Sequence, residues 1–213
     1  MMKLIKEKLF SMDRLSIFVL ANVLFWAKTL LAYYTEFELG VTGAVQTFIL
    51  WINPIATSMI MLSLSLYFKD KKKSGYTLLF CYFLISLLLY ANVLYYREFA
   101  DFMTLSNISF GLIASFFVML KIWDVFYWID FVLLTWIIVK RIHPKDETKI
   151  TQKPFYKRYA VATTLAGIAV LFGNIVLAET DRPQLLTRTF DRNYIVKYLG
   201  VNFYTGYDAT QTI

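Results

Sequence analysis

The sequence predicts an all-α polytopic membrane protein, with five transmembrane helices and further interfacial helices on the outer face. Three observations carry this reading. Hydrophobic residues make up 58% of the chain and charged residues 17%, where soluble domains run nearer about half and about a quarter. The apolar residues gather into runs of about 20, the length that spans a hydrocarbon core at ~1.5 Å rise per residue. The basic residues fall in short connectors between those runs. That is a signal of membrane topology and not a nucleic-acid surface, despite the net charge of +7.

The first run, 15–33, follows Lys3, Lys6, Lys8 and Arg14. It is too long for a signal peptide and no small-residue cleavage site follows it. Lys28 is expected to snorkel from its outer end. The second run, 45–68, contains Asn53 and Pro54, and proline there removes a backbone donor and kinks the helix. The third, 76–96, is interrupted only by Ser86 and Asn92. The fourth, 123–139, carries Asp124 and Asp130 near its start. The fifth, 159–178, presents Ala162, Ala166, Ala169 and Gly173 as a smooth stripe that another helix can approach closely.

Residues 102–120 carry no charge and are long enough for a sixth span. The distribution of basic residues argues against it. With five spans and the N-terminus inside, the inner segments hold fifteen of the 22 lysines and arginines. The outer ones hold Arg97, Lys121, Arg182, Arg188, Arg192 and Lys197. A sixth span would put the strongly basic 140–158 connector outside, against the positive-inside rule. The segment is therefore expected to be re-entrant or interfacial. Tyrosines at 33, 34, 67, 76, 95, 96, 156 and 159 fall where this topology puts the headgroups.

Residues 1–178 thus form a membrane domain, and 179–213 lie outside it. Thr180 or Asp181 is a plausible helix cap, and Leu186, Phe190, Tyr194 and Tyr198 recur every four residues. This pattern predicts a short amphipathic juxtamembrane helix lying on the outer membrane surface. Residues 200–213, with two glycines among Thr, Asp and Gln, have the composition of a linker.

Little in the chain carries covalent chemistry. One cysteine, Cys81, lies inside an apolar run, and one histidine, His143, in a basic connector. No metal-binding or nucleophile motif occurs. The polar residues nearest the outer interface are Arg97, Asp101, Lys121, Asp124, Asp130, Arg182, Arg188 and Arg192. Two readings fit them. They form structural ion pairs, or they line a groove for a lipid headgroup, with arginines holding phosphate by paired hydrogen bonds.

Four stretches resemble one family. ETDRPQLLTRTFDRNYIVKYLG (179–200) resembles the segment after the fifth helix in the lipoteichoic acid synthases of Gram-positive bacteria. ELGVTGAVQTFILWINP (38–54), LLYANVLYYREFADFMT (88–104) and KIWDVFYWID (121–130) resemble the same family at corresponding places. The resemblance implies a five-helix membrane domain at the bacterial cell surface with its C-terminus extracellular, followed by a linker and a sulfatase-like catalytic domain. In the family that domain uses a threonine nucleophile and a manganese-type divalent ion. It moves glycerol phosphate from phosphatidylglycerol onto a glycolipid-anchored chain.

The sequence is expected to end before such a domain, so no nucleophile or metal ligand carries over. The implied partners are phosphatidylglycerol, the glycolipid anchor and the protein's own catalytic domain, with no nucleic acid. Synthases that extend the chain and primases that start it both fit. Two alternatives remain. One is a non-enzymatic membrane partner of a cell-wall or division complex, docking through the small-residue stripe. The other is the membrane domain of a different sulfatase-like lipid phosphotransferase.

Overall fold

A computed structural model describes residues 13–104, 115–142, 157–183, 185 and 192–211. Among these residues there are seven α-helices and no strand. Five cross the bundle: α1 (Arg14–Thr35), α2 (Ala44–Ser63, prolonged by the 3-10 turn Leu64–Tyr67), α3 (Lys71–Phe99), α4 (Phe126–Ile142, entered through the 3-10 turn Ile122–Val125) and α5 (Lys157–Asp181). Each is long and apolar enough to cross a membrane. Two shorter helices follow, α6 (Arg192–Leu199) and α7 (Val201–Gln211). Because the five long helices alternate in direction, Arg14, Tyr67, Lys71 and Ile142 share one end of the bundle, here the near end. Thr35, Phe99, Ile122 and Asp181 share the far end.

The helix starts follow side-chain capping. Asp13 accepts hydrogen bonds from the Ser16 backbone N–H at 2.8 Å and the Ser16 hydroxyl at 2.7 Å. Asp70 accepts from the Lys72 N–H at 3.0 Å. Such caps satisfy amides that the first helical turn leaves unpaired. The second cap starts α3 five residues earlier than its apolar run, so Lys71, Lys72 and Lys73 are helical.

The bundle core is built by α1, α3 and α4, with Phe25, Tyr82, Leu89, Leu134 and Ile137 fully buried. α5 lies at the periphery against α2, and its outward face carries exposed Leu165, Phe172 and Val176, as lipid contact requires. The face of α5 that packs differs from the one expected. Ala162, Ala166, Ala169 and Gly173 are exposed, and a Cβ on Gly173 would meet nothing within 4 Å. Contact runs instead through Ala160, Thr164, Gly167, Asn174 and Ala178. A Cβ on Gly167 would come within 2.9 Å of Ile60 Cγ1 and 3.1 Å of the Ala56 carbonyl. Two polar pairs fix this rotation, Ser63 with Thr164 at 2.7 Å and Asn174 with Asn53 at 2.8 Å. In a membrane, polar side chains that find partners outweigh smoothness in choosing the contact face.

Lys28 also departs from expectation. It does not snorkel but points inward, with Nζ 2.7 Å from Asp130 Oδ2 and 2.8 Å from the Ser86 hydroxyl, at 7% exposure. Seven residues from the end of α1, it sits ~10 Å below the far surface. There an unpaired ammonium is costly and a carboxylate on the neighbouring helix is the better partner. Tyr82 donates a further hydrogen bond to the same Asp130.

Beyond the fifth span the structure corrects two sequence expectations. Thr180 and Asp181 do not cap a new helix; they are the last residues of α5. Residues 201–211 are not a linker but helix α7, with Val201 and Tyr204 buried. Of the expected amphipathic stripe, Tyr194 and Tyr198 lie on α6, and Leu186 and Phe190 fall outside the described residues. Of the ambiguous 102–120 segment, Phe102, Met103 and Thr104 are buried, Phe117 and Val118 are exposed, and 105–114 fall outside the described residues.

Candidate functional site

Of the predicted polar residues that the structure describes, Arg97, Asp101, Asp124, Asp130 and Arg192 fall into three separate groups in the far half of the bundle. The first is centred on Arg97, in the last turn of α3. Its guanidinium meets Glu36, just past α1, through Nε–Oε2 at 2.9 Å and Nη2–Oε1 at 2.6 Å. It meets Asp124 through Nη1–Oδ2 at 3.0 Å and Nη2–Oδ1 at 2.9 Å. A fifth bond runs from Nη1 to the Met119 carbonyl at 3.3 Å. All five donors of a guanidinium are then committed.

Asp124 also accepts from Tyr90 and from the Lys121 N–H, each at 2.8 Å. Arg97 and Asp124 are 8% and 7% exposed. One cation between two carboxylates leaves this cluster net negative. Its geometry is that of a tie between α1, α3 and the entry to α4. The side chain of Lys121 remains exposed beside it, next to exposed Ile122 and Trp123. Asp130 belongs to a second group, the Lys28 pair inside the bundle.

The third group attaches α6 and α7. Arg192 Nη1 lies 2.6 Å from Asp101 Oδ2, and Asn193 donates to the Ala100 carbonyl at 3.3 Å. Ala100 itself has φ of 51° at the C-cap of α3, which turns the chain so that Asp101 faces α6. Tyr198 is held at both ends. Its hydroxyl donates to Asp181 at 2.7 Å and accepts from Gln46 Nε2 at 2.6 Å, while its carbonyl accepts from Asn53 Nδ2 at 3.0 Å.

Burial, with the bond to Asp181, pushes the Tyr198 hydroxyl pKa up to about 12. Gly200, at φ +73°, makes the corner between α6 and α7. A Cβ there would lie 2.9 Å from the Tyr33 hydroxyl, which accepts from the Val201 N–H at 3.1 Å. Helices α6 and α7 therefore form a cap fastened to α1, α2, α5 and the turn after α3.

Arg182 lies at the edge of this cap, exposed, with its guanidinium carbon 5.2 Å from the centre of the Tyr194 ring. Lys197 Nζ lies 5.4 Å from the same ring and donates to the Gly40 carbonyl at 3.3 Å. Arg188 falls outside the described residues. Sequence reasoning missed Glu36, Gln46, Asn53 and Tyr33 as attachment points. Polar Gln46 and Asn53 within an apolar run were the available signal. Among the described residues no three His, Cys, Asp or Glu side chains gather as a metal set, and Cys81 is buried.

The fold and this site define a five-span helical membrane domain whose juxtamembrane segment folds back as a cap on one end of the bundle. Residues 1–213 match the family model described as the lipoteichoic acid synthase N-terminal domain. The chain belongs to that family, as its membrane domain. It is 46% identical over 211 residues to lipoteichoic acid synthase 1 of Bacillus subtilis strain 168, covering 97% of this chain and 32% of that protein. It is 40% identical to lipoteichoic acid synthase 2 of the same organism, over 93% of this chain and 30% of the relative. To the lipoteichoic acid synthase of Staphylococcus aureus strain USA300 it is 39% identical, over 92% and 30%. The chain thus spans about a third of the length of the curated relatives it matches. No solved structure matches it.

Proposed function

We propose that this is the membrane domain of a glycerophosphotransferase that builds lipoteichoic acid, moving glycerol phosphate from phosphatidylglycerol onto a glycolipid-anchored chain. The domain anchors the enzyme in the cell membrane. It also fixes the height and direction in which the polypeptide leaves the outer leaflet. The observation that carries this reading is the cap. A domain that only anchored would need no more than an apolar helix. Here α6 and α7 are instead bound to the bundle by Asn53, Gln46, Tyr33, Asp101 and Asp181.

The names of the relatives support the reaction class. The excess of basic residues at the near end supports placing the cap outside. The divalent, manganese-type ion and the nucleophile belong to the sulfatase-like domain that the family resemblance implies, not to residues of this one. Lys121, Arg182 and Arg188 are the cations proposed to meet the anionic donor lipid, whereas Arg97, Asp124 and Asp130 tie the long helices together and Arg192 pairs with Asp101.

The test uses the full-length protein in membranes supplied with phosphatidylglycerol labelled in its headgroup glycerol. Label is expected in a glycerol phosphate polymer. Replacing 192–211 with a glycine-serine linker of equal length should shorten or deplete the polymer while membrane insertion stays intact. Neutralising Arg182 and Arg188 together should lower output at equal expression. Unlabelled polymer from the unaltered protein would refute the reaction. Unchanged output from both variants would reduce the domain to an anchor.

A further inference from the structure

The entry to α4 carries a ridge of apolar side chains that the proposed function does not use. Between Phe116 and Phe126 the side chains divide between two sides. Phe116 and Met119 pack against the bundle core, and Asp124 is buried. Phe117, Val118, Ile122, Trp123, Val125 and Phe126 face outward, with Ile122 88% and Trp123 72% exposed. The Trp123 and Phe126 rings stack, with centroids 6.3 Å apart and planes within 6° of parallel. Among residues 117–126, Lys121 is the one exposed charge.

The ridge is fastened to the bundle. Arg97 donates to the Met119 carbonyl at 3.3 Å, and Asp124, paired with the same guanidinium, accepts from the Lys121 N–H at 2.8 Å. Tight turns close its backbone, from the Val118 N–H to the Ser115 carbonyl at 3.0 Å and from the Met119 N–H to the Phe116 carbonyl at 3.1 Å. Two opposed requirements then set its level. Large apolar side chains gathered side by side are unfavourable in water. An irregular backbone is equally out of place in the hydrocarbon core, where lipid-exposed loops do not occur. The layer that meets both demands is the membrane interface, where tryptophan also concentrates.

We propose that residues 117–126 form a foot inserted into the interface of the leaflet at the cap's end. Its occupant is lipid rather than another protein surface, because the ridge continues onto the lipid-facing side of α4, where Ile129, Val132 and Val139 are exposed. Lys121 then reaches the headgroups, while Trp123 and Phe126 meet the upper acyl chains. The sequence alone places Trp123 inside the fourth span; with the foot at the interface, the crossing begins at Phe126, the first residue of α4. Interfacial aromatic and basic anchors set the tilt of a membrane helix. Since Arg97 ties this foot to α1 and α3, it holds the level of the bundle end that carries the cap.

The experiment uses the full-length protein in phosphatidylcholine vesicles whose acyl chains carry bromine either near the glycerol or near the chain ends. The signal of Trp123 is the emission of the wild type minus that of Trp123→Phe, which keeps an apolar ring. That difference is expected to be quenched about twofold more by the shallow bromines than by the deep ones, and little by iodide in the water. If Trp123→Phe does not purify as a single species, Trp123→Tyr supplies the subtraction. Stronger quenching by the deep bromines would put Trp123 in the hydrocarbon core, as an ordinary part of the span, and overturn the foot. Quenching by iodide alone would place the ridge in water and overturn it. Protection from bromine at both depths and from iodide would mean that another protein surface covers the ridge, and would overturn the lipid.

Discussion

Asn53 of α2 donates a 3.0 Å hydrogen bond to the backbone carbonyl of Tyr198, 145 residues further along the chain. The same side chain accepts from Asn174 of α5 at 2.8 Å. One amide therefore ties the cap and the fifth span to the second. It sits beside Pro54, inside a helix that a sequence reading expects only to kink.

Replacing Asn53 with alanine leaves the Asn174 amide and the Tyr198 carbonyl without this partner in a buried setting. Leaving a buried polar group unsatisfied costs about 1–3 kcal/mol. The N53A variant is expected to unfold at a lower temperature in detergent and to become more sensitive to protease between α5 and α6. Unchanged proteolysis would show that α6 stays docked by its other attachments.

Lys28 and Asp130 are 2.7 Å apart, at 6% and 12% side-chain exposure. Removing one partner of a buried pair strands the other, at a cost of about 3–5 kcal/mol, whereas replacing both with apolar residues is often neutral. The D130N variant should therefore express poorly as folded protein, and K28M/D130L should recover much of the loss. The yield of monodisperse protein and its thermal midpoint measure both. A double variant worse than the single would mean that the pair does more than satisfy itself.

Gly167→Leu and Ala166→Leu, one position apart on α5, should differ sharply. The first drives a side chain into Ile60, Met59 and the Ala56 carbonyl, and overpacking of this kind costs about 1–3 kcal/mol or more. The second adds bulk to an exposed position and should stay within about 0.5 kcal/mol. Thermal midpoints in detergent separate the two. The reverse order would restore the stripe that sequence spacing favours.

The spans were legible because a hydrocarbon core demands about 20 apolar residues, and each run supplied them. The rotations of the helices were not. Ala162, Ala166, Ala169 and Gly173 form a regular pattern, but periodicity cannot tell which smooth face a neighbour chooses. That choice was made by Asn174 and Thr164, whose partners Asn53 and Ser63 lie on another helix. Lys28 misled for the same reason, since snorkelling and pairing look alike until Asp130 is placed beside it. The outer charges were found, yet Glu36, which shares Arg97, was not among them. Helix α7 was hidden because Thr, Gly, Asp and Gln dilute Val201 and Tyr204, which are buried only once the Gly200 corner folds them back.

The cap should also loosen in alkali, through Tyr198. Burial and the bond to Asp181 raise its hydroxyl from the ordinary 10 to about 12, so the docked state favours the neutral phenol. Its contribution to stability is fully present below pH 10 and is lost as the pH rises toward 12. Tyr204 is raised to about 12 as well, by burial first, so the wild-type profile contains both. Tyr198→Phe keeps the ring and removes the titrating hydroxyl together with its bonds to Asp181 and Gln46. The variant should be less stable at neutral pH and should lose less than the wild type between pH 10 and 12. The measurement is protease sensitivity between α5 and α6, followed from pH 8 to 12 in both proteins. Parallel curves would mean that Tyr198 does not hold the cap through its hydroxyl.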